Sequence, residues 1–131
     1  MGSERPSEHS PDLPPGVGED DFCYVTTRGR VSGRRHEIEI WFALDGTHLY
    51  LLAGAGEGSD WVRNLRADPN VTVRLRDTTV PAIARVVEEP DEDRRARTLV
   101  FDKYQPRYTG GLEDWRKRAL PIAVDLLVPQ S

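Results

Sequence analysis

From Arg28 to His36 the chain carries Arg28, Arg30, Arg34, Arg35 and His36 with no carboxylate among them. The protein as a whole is acidic, with a formal charge of −4, so this run is a local concentration of positive charge. Arginine presents a planar fork of donors that matches phosphate and carboxylate. Gly29, Ser32 and Gly33 interrupt the arginines, and a glycine turn lets backbone N–H groups approach an anion. Each charge-assisted hydrogen bond is worth about 1.5–3 kcal/mol net, so three or four would hold a polyanion without a large apolar pocket. Charge alone leaves a second reading open, a solvated basic turn. Nucleic acid is a poor fit, given the overall acidity and the lack of an aromatic RNA-reading motif.

A second candidate is Leu51-Leu52-Ala53-Gly54-Ala55-Gly56-Glu57-Gly58, where small residues at a strand end let a flat ring or phosphate lie close to the backbone. It is not a dinucleotide fingerprint, because the spacing is wrong and no parallel βαβ unit surrounds it. As a bare glycine loop it also reads as a flexible connection. Sets that would do chemistry unaided are missing. His9, His36 and His48 lack metal-ligand spacing, so no metal site is expected. One cysteine, Cys23, and no nucleophile-elbow motif argue against acyl transfer. Cys23 lies between Phe22 and Tyr24 and reads as a small hydrophobe on a strand. An enzyme built this way has to take its chemistry from a cofactor.

These residues must be held by something. Phe22 to Thr27 is aromatic and β-branched, as strands are. His36 to Leu44 alternates, with His36, Ile38, Ile40 and Phe42 on one face and Glu37, Glu39 and Trp41 on the other. Asp45-Gly46 is a hairpin signal, and Thr47 to Ala53 returns as a third strand. The three segments predict an antiparallel meander. Ser59 is placed as the N-cap of a short helix that brings Trp61, Val62 and Leu65 to helical spacing and ends at Asp68-Pro69. Val71 to Arg76 and Val80 to Glu88 are the fourth and fifth strands. A helix starting at Pro90 buries Ala96, Leu99, Val100, Lys103 and Tyr104 along one stripe. Gly111 to Arg118 is a possible short helix, and Ile122, Val124 and Leu126 alternate in a last strand.

The pattern predicts a mainly β fold of six short strands in a small barrel or sandwich, with two or three short helices capping its ends. At 131 residues the chain has room for one domain. Met1 to Asp20, rich in proline and acid, has only Leu13 and Val17 as branched apolar side chains and is expected to be a disordered lead-in. Residues 21–131 form the domain. No stretch is apolar enough to span a bilayer, no signal peptide is visible, and the single cysteine suits a reducing cytoplasm.

Three blocks, taken in order, resemble the deazaflavin-dependent nitroreductase family of the flavin- and deazaflavin-binding split β-barrel superfamily. They are Val25-Thr26-Thr27-Arg28-Gly29-Arg30-Val31-Ser32-Gly33-Arg34, Glu37 to Phe42, and Ser59 to Pro69, with Ala119-Leu120-Pro121-Ile122 resembling the closing strand. The resemblance implies a six-stranded split β-barrel with two or three short helices that binds coenzyme F420, its phosphate and oligoglutamate tail along the turn from Thr26 to Gly33, which holds Thr27, Arg28, Arg30, Ser32 and Gly33; Arg34, Arg35 and His36, the rest of the basic run, are expected to bind the cofactor beside it. It implies a ring near Ile38, Ile40 and Trp41 and against Ala53, Gly54 and Ala55, with Ser59, Trp61 and Asn64 as further contacts from the short helix. The chain departs from the family pattern at Val31, where lysine is frequent, and at Arg35, where proline is common.

On this resemblance the protein passes a hydride from reduced F420 to an electrophilic small molecule of the nitroaromatic, quinone or enone type. The proton comes from solvent or from a phenol over the pocket, with Tyr104 and Tyr108 the candidate donors because helix end and loop lie where a lid would sit. Two alternatives stand beside it: an oxidoreductase using flavin mononucleotide on the same barrel, and a deazaflavin carrier without turnover. A mononucleotide has one phosphate and needs fewer cations than this loop holds. Monomer and homodimer are both compatible with the sequence.

Overall fold

The structure, a computed structural model, describes residues 13–127. Seven strands and three helices follow in the order β1 (Cys23–Arg28), β2 (Arg35–Ile40), β3 (Ala43–Asp45), β4 (His48–Ala53), α1 (Asp60–Ala67), β5 (Asn70–Leu75), β6 (Thr78–Val86), α2 (Pro90–Tyr104), α3 (Glu113–Arg118) and β7 (Leu120–Leu126). All strands belong to one antiparallel sheet ordered β2-β1-β5-β6-β7-β4-β3. Its two edge strands, β2 and β3, are joined by only Trp41 and Phe42, so the sheet curls until its edges meet there. The result is a half-barrel.

The mainly β class is as expected, while the strand count and pairing differ. The run from His36 to Leu44 is two strands, because it breaks at Trp41-Phe42. Its first half pairs with β1 and its second half with β4, at opposite ends of the sheet. The predicted three-strand meander is therefore two separate hairpins. The expected alternation holds across the break: Ile38, Ile40 and Phe42 face the main core, and Trp41 faces the other side. In the second hairpin Asp45 pairs with His48, which leaves Gly46 at the first turn position with φ of 64°, where glycine is favoured.

The inside of the curl is filled by Val25, Phe42, Leu49, Leu51, Val73, Val80, Ile122 and Val124, and α1 closes one end with Val62 and Leu65. A second cluster lies under α2, where Ala96, Val100 and Tyr104 pack on Ala43, Tyr50, Leu52 and Ala123. Strand β4 serves both clusters, with Leu49 and Leu51 inward and Tyr50 and Leu52 outward. Glu89 caps α2 by accepting a hydrogen bond from the Glu92 N–H. Ser59 stands at the N-cap position of α1 but makes no side-chain capping bond.

The expected disordered lead-in differs over residues 13–20; residues 1–12 lie outside the described residues. Val17 is 3% exposed and joins the main core. Cations of the barrel hold the backbone beside it. Arg76 bonds both carboxylate oxygens of Asp20 at 2.9 Å, and Lys103 Nζ donates to Asp20 O at 2.7 Å. Low hydrophobicity concealed a segment fixed through its carbonyls and acids.

Candidate functional site

The β1–β2 connection is a compact loop. Gly29 N–H donates to Arg34 O and Gly33 N–H to Gly29 O, while Ser32 Oγ accepts from Arg34 N–H. Gly33 takes φ of 76°. A Cβ on Gly29 would fall 2.8 Å from His36 Nε2 and 2.9 Å from Ser32 Oγ, so glycine is needed for that ring to fold against the loop. The loop is tied to α1 through Asn64. The Asn64 amide oxygen accepts from Arg30 N–H at 3.2 Å and from the Arg30 guanidinium at 2.8 Å. Its amide nitrogen donates to Thr27 Oγ1 at 3.2 Å. Asn64 and Thr27 are 4% and 1% exposed, so both act from behind the surface.

In front of this tie lies a cleft of about 400 Å³ between the loop, β2 and α1, lined by Arg30, Ser32, His36, Ile38, Trp61 and Asn64. Asp60 leans on Arg30 at 3.4 Å but is largely exposed, so it screens the guanidinium only in part. The predicted loop residues are not all brought here. Arg28 and Arg35 point to the other side of the hairpin and line a separate cleft with Thr27. Arg34 is exposed and lines neither. The expected fourfold arginine grip is thus divided: Arg28 and Arg35 are cross-strand partners and share one face of the hairpin, while Arg30 and Arg34 lie in the loop beyond the strands, where Asn64 holds Arg30 at the front.

A second front cleft, of about 590 Å³, opens next to the first. Glu39 and Ile40 of β2 form one side, with Trp41, Gly54, Tyr108 and Trp115 around it. Trp41 stacks on Tyr104 with ring centres 4.3 Å apart and planes 2° from parallel. It meets Tyr108 and Trp115 edge-on at 5.8 and 5.6 Å, an arrangement that aromatic quadrupoles favour. A Cβ on Gly54 would stand 3.6 Å from the Trp115 indole nitrogen, an ordinary contact, so the indole edge lies close over this backbone.

Tyr104 does not reach this cleft. It is 2% exposed, its hydroxyl accepts from Phe42 N–H at 3.0 Å and donates to Asp21 O at 2.6 Å, and burial pushes its pKa up to about 12. That is a structural role, as its place on the buried stripe of α2 implies. Tyr108, 47% exposed, does line the cleft. Ala53 is buried in the core, while Ala55 and Ser59 lie outside both clefts. Sequence reasoning missed Trp115 and Phe22. Trp115 had a signal, a single large aromatic in Glu113-Asp114-Trp115-Arg116-Lys117-Arg118, but one that packing alone also explains, and it does pack against the cluster under α2. Among the described residues no group of His, Cys, Asp or Glu could hold a metal ion, and no helix is long and apolar enough to cross a membrane.

A family model described as F420H(2)-dependent quinone reductase matches residues 17–126. Among solved structures, a conserved hypothetical protein from Mycobacterium tuberculosis superposes with a TM-score of 0.68 at 22% identity, covering 85% of this chain and 76% of that one. An F420-H2 dependent reductase (FDR-A) gives 0.65 at 20% identity, with 80% and 93% covered. A protein described as an F420 reductase gives 0.59 at 22% identity, with 87% and 95% covered. At these identities the likenesses establish the split-barrel fold.

Proposed function

The chain belongs to the F420H(2)-dependent quinone reductase family and is an F420-dependent oxidoreductase, and on that premise we propose a division of labour between its two front clefts. Arg30, Ser32 and His36, with Trp61, hold the anionic part of coenzyme F420. Its ring lies along Ile38 and Ile40, and the acceptor sits between Trp41, Tyr108 and Trp115. The residues suit such a group. One end offers a guanidinium, a hydroxyl and an imidazole, and the other offers flat aromatic walls beside Gly54. The observation that carries the reading is the shared strand: His36 and Ile38 line one cleft and Glu39 and Ile40 the next, so β2 runs beneath both.

When bound, the reduced deazaflavin supplies a hydride from its central ring. The protein contributes position and shelter. Trp41, held flat by Tyr104, gives a planar acceptor a surface to lie on, and Trp115 and Leu112 keep water from that side. A quinone that takes up a hydride and one proton becomes a hydroquinone. Tyr108, exposed and lining the same cleft, gives that proton on this reading and recovers one from solvent. Quinones, nitroaromatics and conjugated enones all meet these requirements. We place the protein in the cytoplasm, as a monomer or homodimer; the buried free thiol of Cys23 suits a reducing compartment.

The test is anaerobic reoxidation of reduced F420 by a para-benzoquinone. Trp115→Ala should raise the acceptor KM and leave F420 affinity unchanged. Arg30→Gln should weaken F420 binding and flatten its salt dependence. Equal effects of both variants on both ligands would refute the division.

A further inference from the structure

The outer face of the β2-β1-β5 sheet pairs its charges with care, except at one place. Tyr24 donates to Glu39 at 2.6 Å, Arg74 lies 3.6 Å from Glu37, and the same guanidinium covers the Tyr24 ring at 4.1 Å. At the loop end of this face Arg28 and Arg35 are direct cross-strand partners. Like charges placed opposite one another destabilise a sheet. Relief from within the described residues is slight. Asp68 comes no nearer to Arg28 than 3.8 Å, and its Oδ1 is already engaged by the Asn70 backbone and side-chain N–H groups. Arg28 also donates to Gly33 O at 3.3 Å, which does not neutralise it.

The two guanidiniums share a cleft of about 260 Å³ with Thr26, Asn70 and Thr72, which add hydroxyls and a side-chain amide, and with Asp68, the one carboxylate in its lining. This cleft lies on the back of the hairpin, while Arg30, Ser32 and His36 line its front. We propose that Arg28 and Arg35 form a second anion site, taking a compact oxygen dianion such as a phosphate monoester or a short dicarboxylate. An oxygen dianion between the forks converts their repulsion into two charge-assisted contacts, with Thr26 or Thr72 donating to a remaining oxygen. The ligand has two possible sources, a free anion or an anionic group of the bound cofactor. The inference rests on the back cleft and does not require the front clefts to work as proposed.

Inorganic phosphate is the probe. Melting temperature is followed across a phosphate series at constant ionic strength set with chloride, for the wild type, Arg28→Gln/Arg35→Gln and Arg35→Glu. Wild type should gain stability with phosphate, and the double variant should bind it roughly two- to thirtyfold more weakly, the range for losing two exposed charged contacts. Arg35→Glu restores an opposite-charge pair with Arg28, so it should melt higher than wild type without phosphate and no longer respond to it. Repeating the series on F420-loaded protein separates the sources. A persisting response assigns a free anion, and a response lost together with an Arg28- and Arg35-dependent part of F420 affinity assigns the cofactor. Equal phosphate responses in all three proteins would overturn the proposal.

Discussion

Asn64 is where the fold and the front cleft depend on one side chain. Its amide accepts from the Arg30 backbone and guanidinium and donates to Thr27 Oγ1, at 3.2, 2.8 and 3.2 Å. Asn64→Ala removes two neutral hydrogen bonds of about 1 kcal/mol each and one charged bond of about 1.5–3 kcal/mol. The Arg30 side chain is 31% exposed and regains water, which lowers the sum, whereas Thr27 Oγ1 is left buried without a donor. The expected loss is about 2–4 kcal/mol. Urea unfolding measures it directly, with an unchanged slope showing that the unfolded state is the same. Asn64→Asp is the informative partner. It keeps both acceptor bonds to Arg30, and the Thr27 hydroxyl can turn to donate, so stability should fall by less than about 1 kcal/mol. It also places a negative charge against Arg30, so F420 should bind roughly tenfold more weakly, about 1.4 kcal/mol. An alanine variant within about 0.5 kcal/mol of wild type, the range of an ordinary surface change, would refute the account of the tie. An aspartate variant that binds F420 normally would refute the placement of the anion.

Tyr104→Phe loses the bonds to Phe42 N–H and Asp21 O but keeps the stack on Trp41, so it should cost about 1–3 kcal/mol in stability and leave the pH profile of turnover unchanged. Tyr108→Phe should do the reverse, with normal stability and turnover lowered about tenfold, since solvent replaces the phenol only in part. Burial, with Arg107 nearby, lowers the Lys103 pKa from 10.5 to about 8. The unfolded chain then holds more protons above pH 8, so stability should rise with pH toward 10. Above pH 10 it should fall, because burial holds the Tyr50 and Tyr104 phenols up to about 12 and the unfolded chain loses those protons first. Lys103→Met should abolish the rise, as urea midpoints across this range will show. Hydrogen bonds from Arg85 hold Glu92 down to about 2; burial raises Asp125, yet its bonds to Arg85 and His48 leave it below the ordinary value. Stability from Glu92 is full above pH 4.5 and lost as pH falls toward 2. Arg85 is 39% exposed, so Arg85→Met should cost only about 1–2 kcal/mol at neutral pH, and its stability should converge with wild type near pH 2.

Faces were legible in the sequence and partners were not. Alternation assigned Ile38, Ile40, Phe42 and Trp41 to the correct sides because periodicity records which atoms must leave water. It does not record which strand lies alongside, and a run that continues through a break looks like one strand. The same limit applied to the arginines. Charge and glycine content marked the Arg28 to His36 loop, but the direction of each side chain depends on strand parity and on Asn64, which is distant in sequence. Tyr104 illustrates a different gap. A tyrosine on an apolar stripe serves equally as a buried anchor or a donor over a cleft, and only the pairing of its hydroxyl with Phe42 and Asp21 decides. Trp61 and Asn64 came from the resemblance of Ser59 to Pro69 to the family, and, three apart on α1, they reach the same cleft.

Strand β4 is apolar on both faces, and Leu49-Tyr50-Leu51-Leu52-Ala53 contains neither charge nor proline. One neighbour is the three-residue β3; the other is β7, the last strand of the sheet to be synthesised. On the ribosome, β4 therefore waits with a bare edge while three helices and two strands emerge, and pairing at such separation is slow. This stretch has the makeup of a cross-β nucleus. It is the segment most in need of chaperone cover during translation, and ribosome-bound chains halted before Leu120 should be the ones that self-associate.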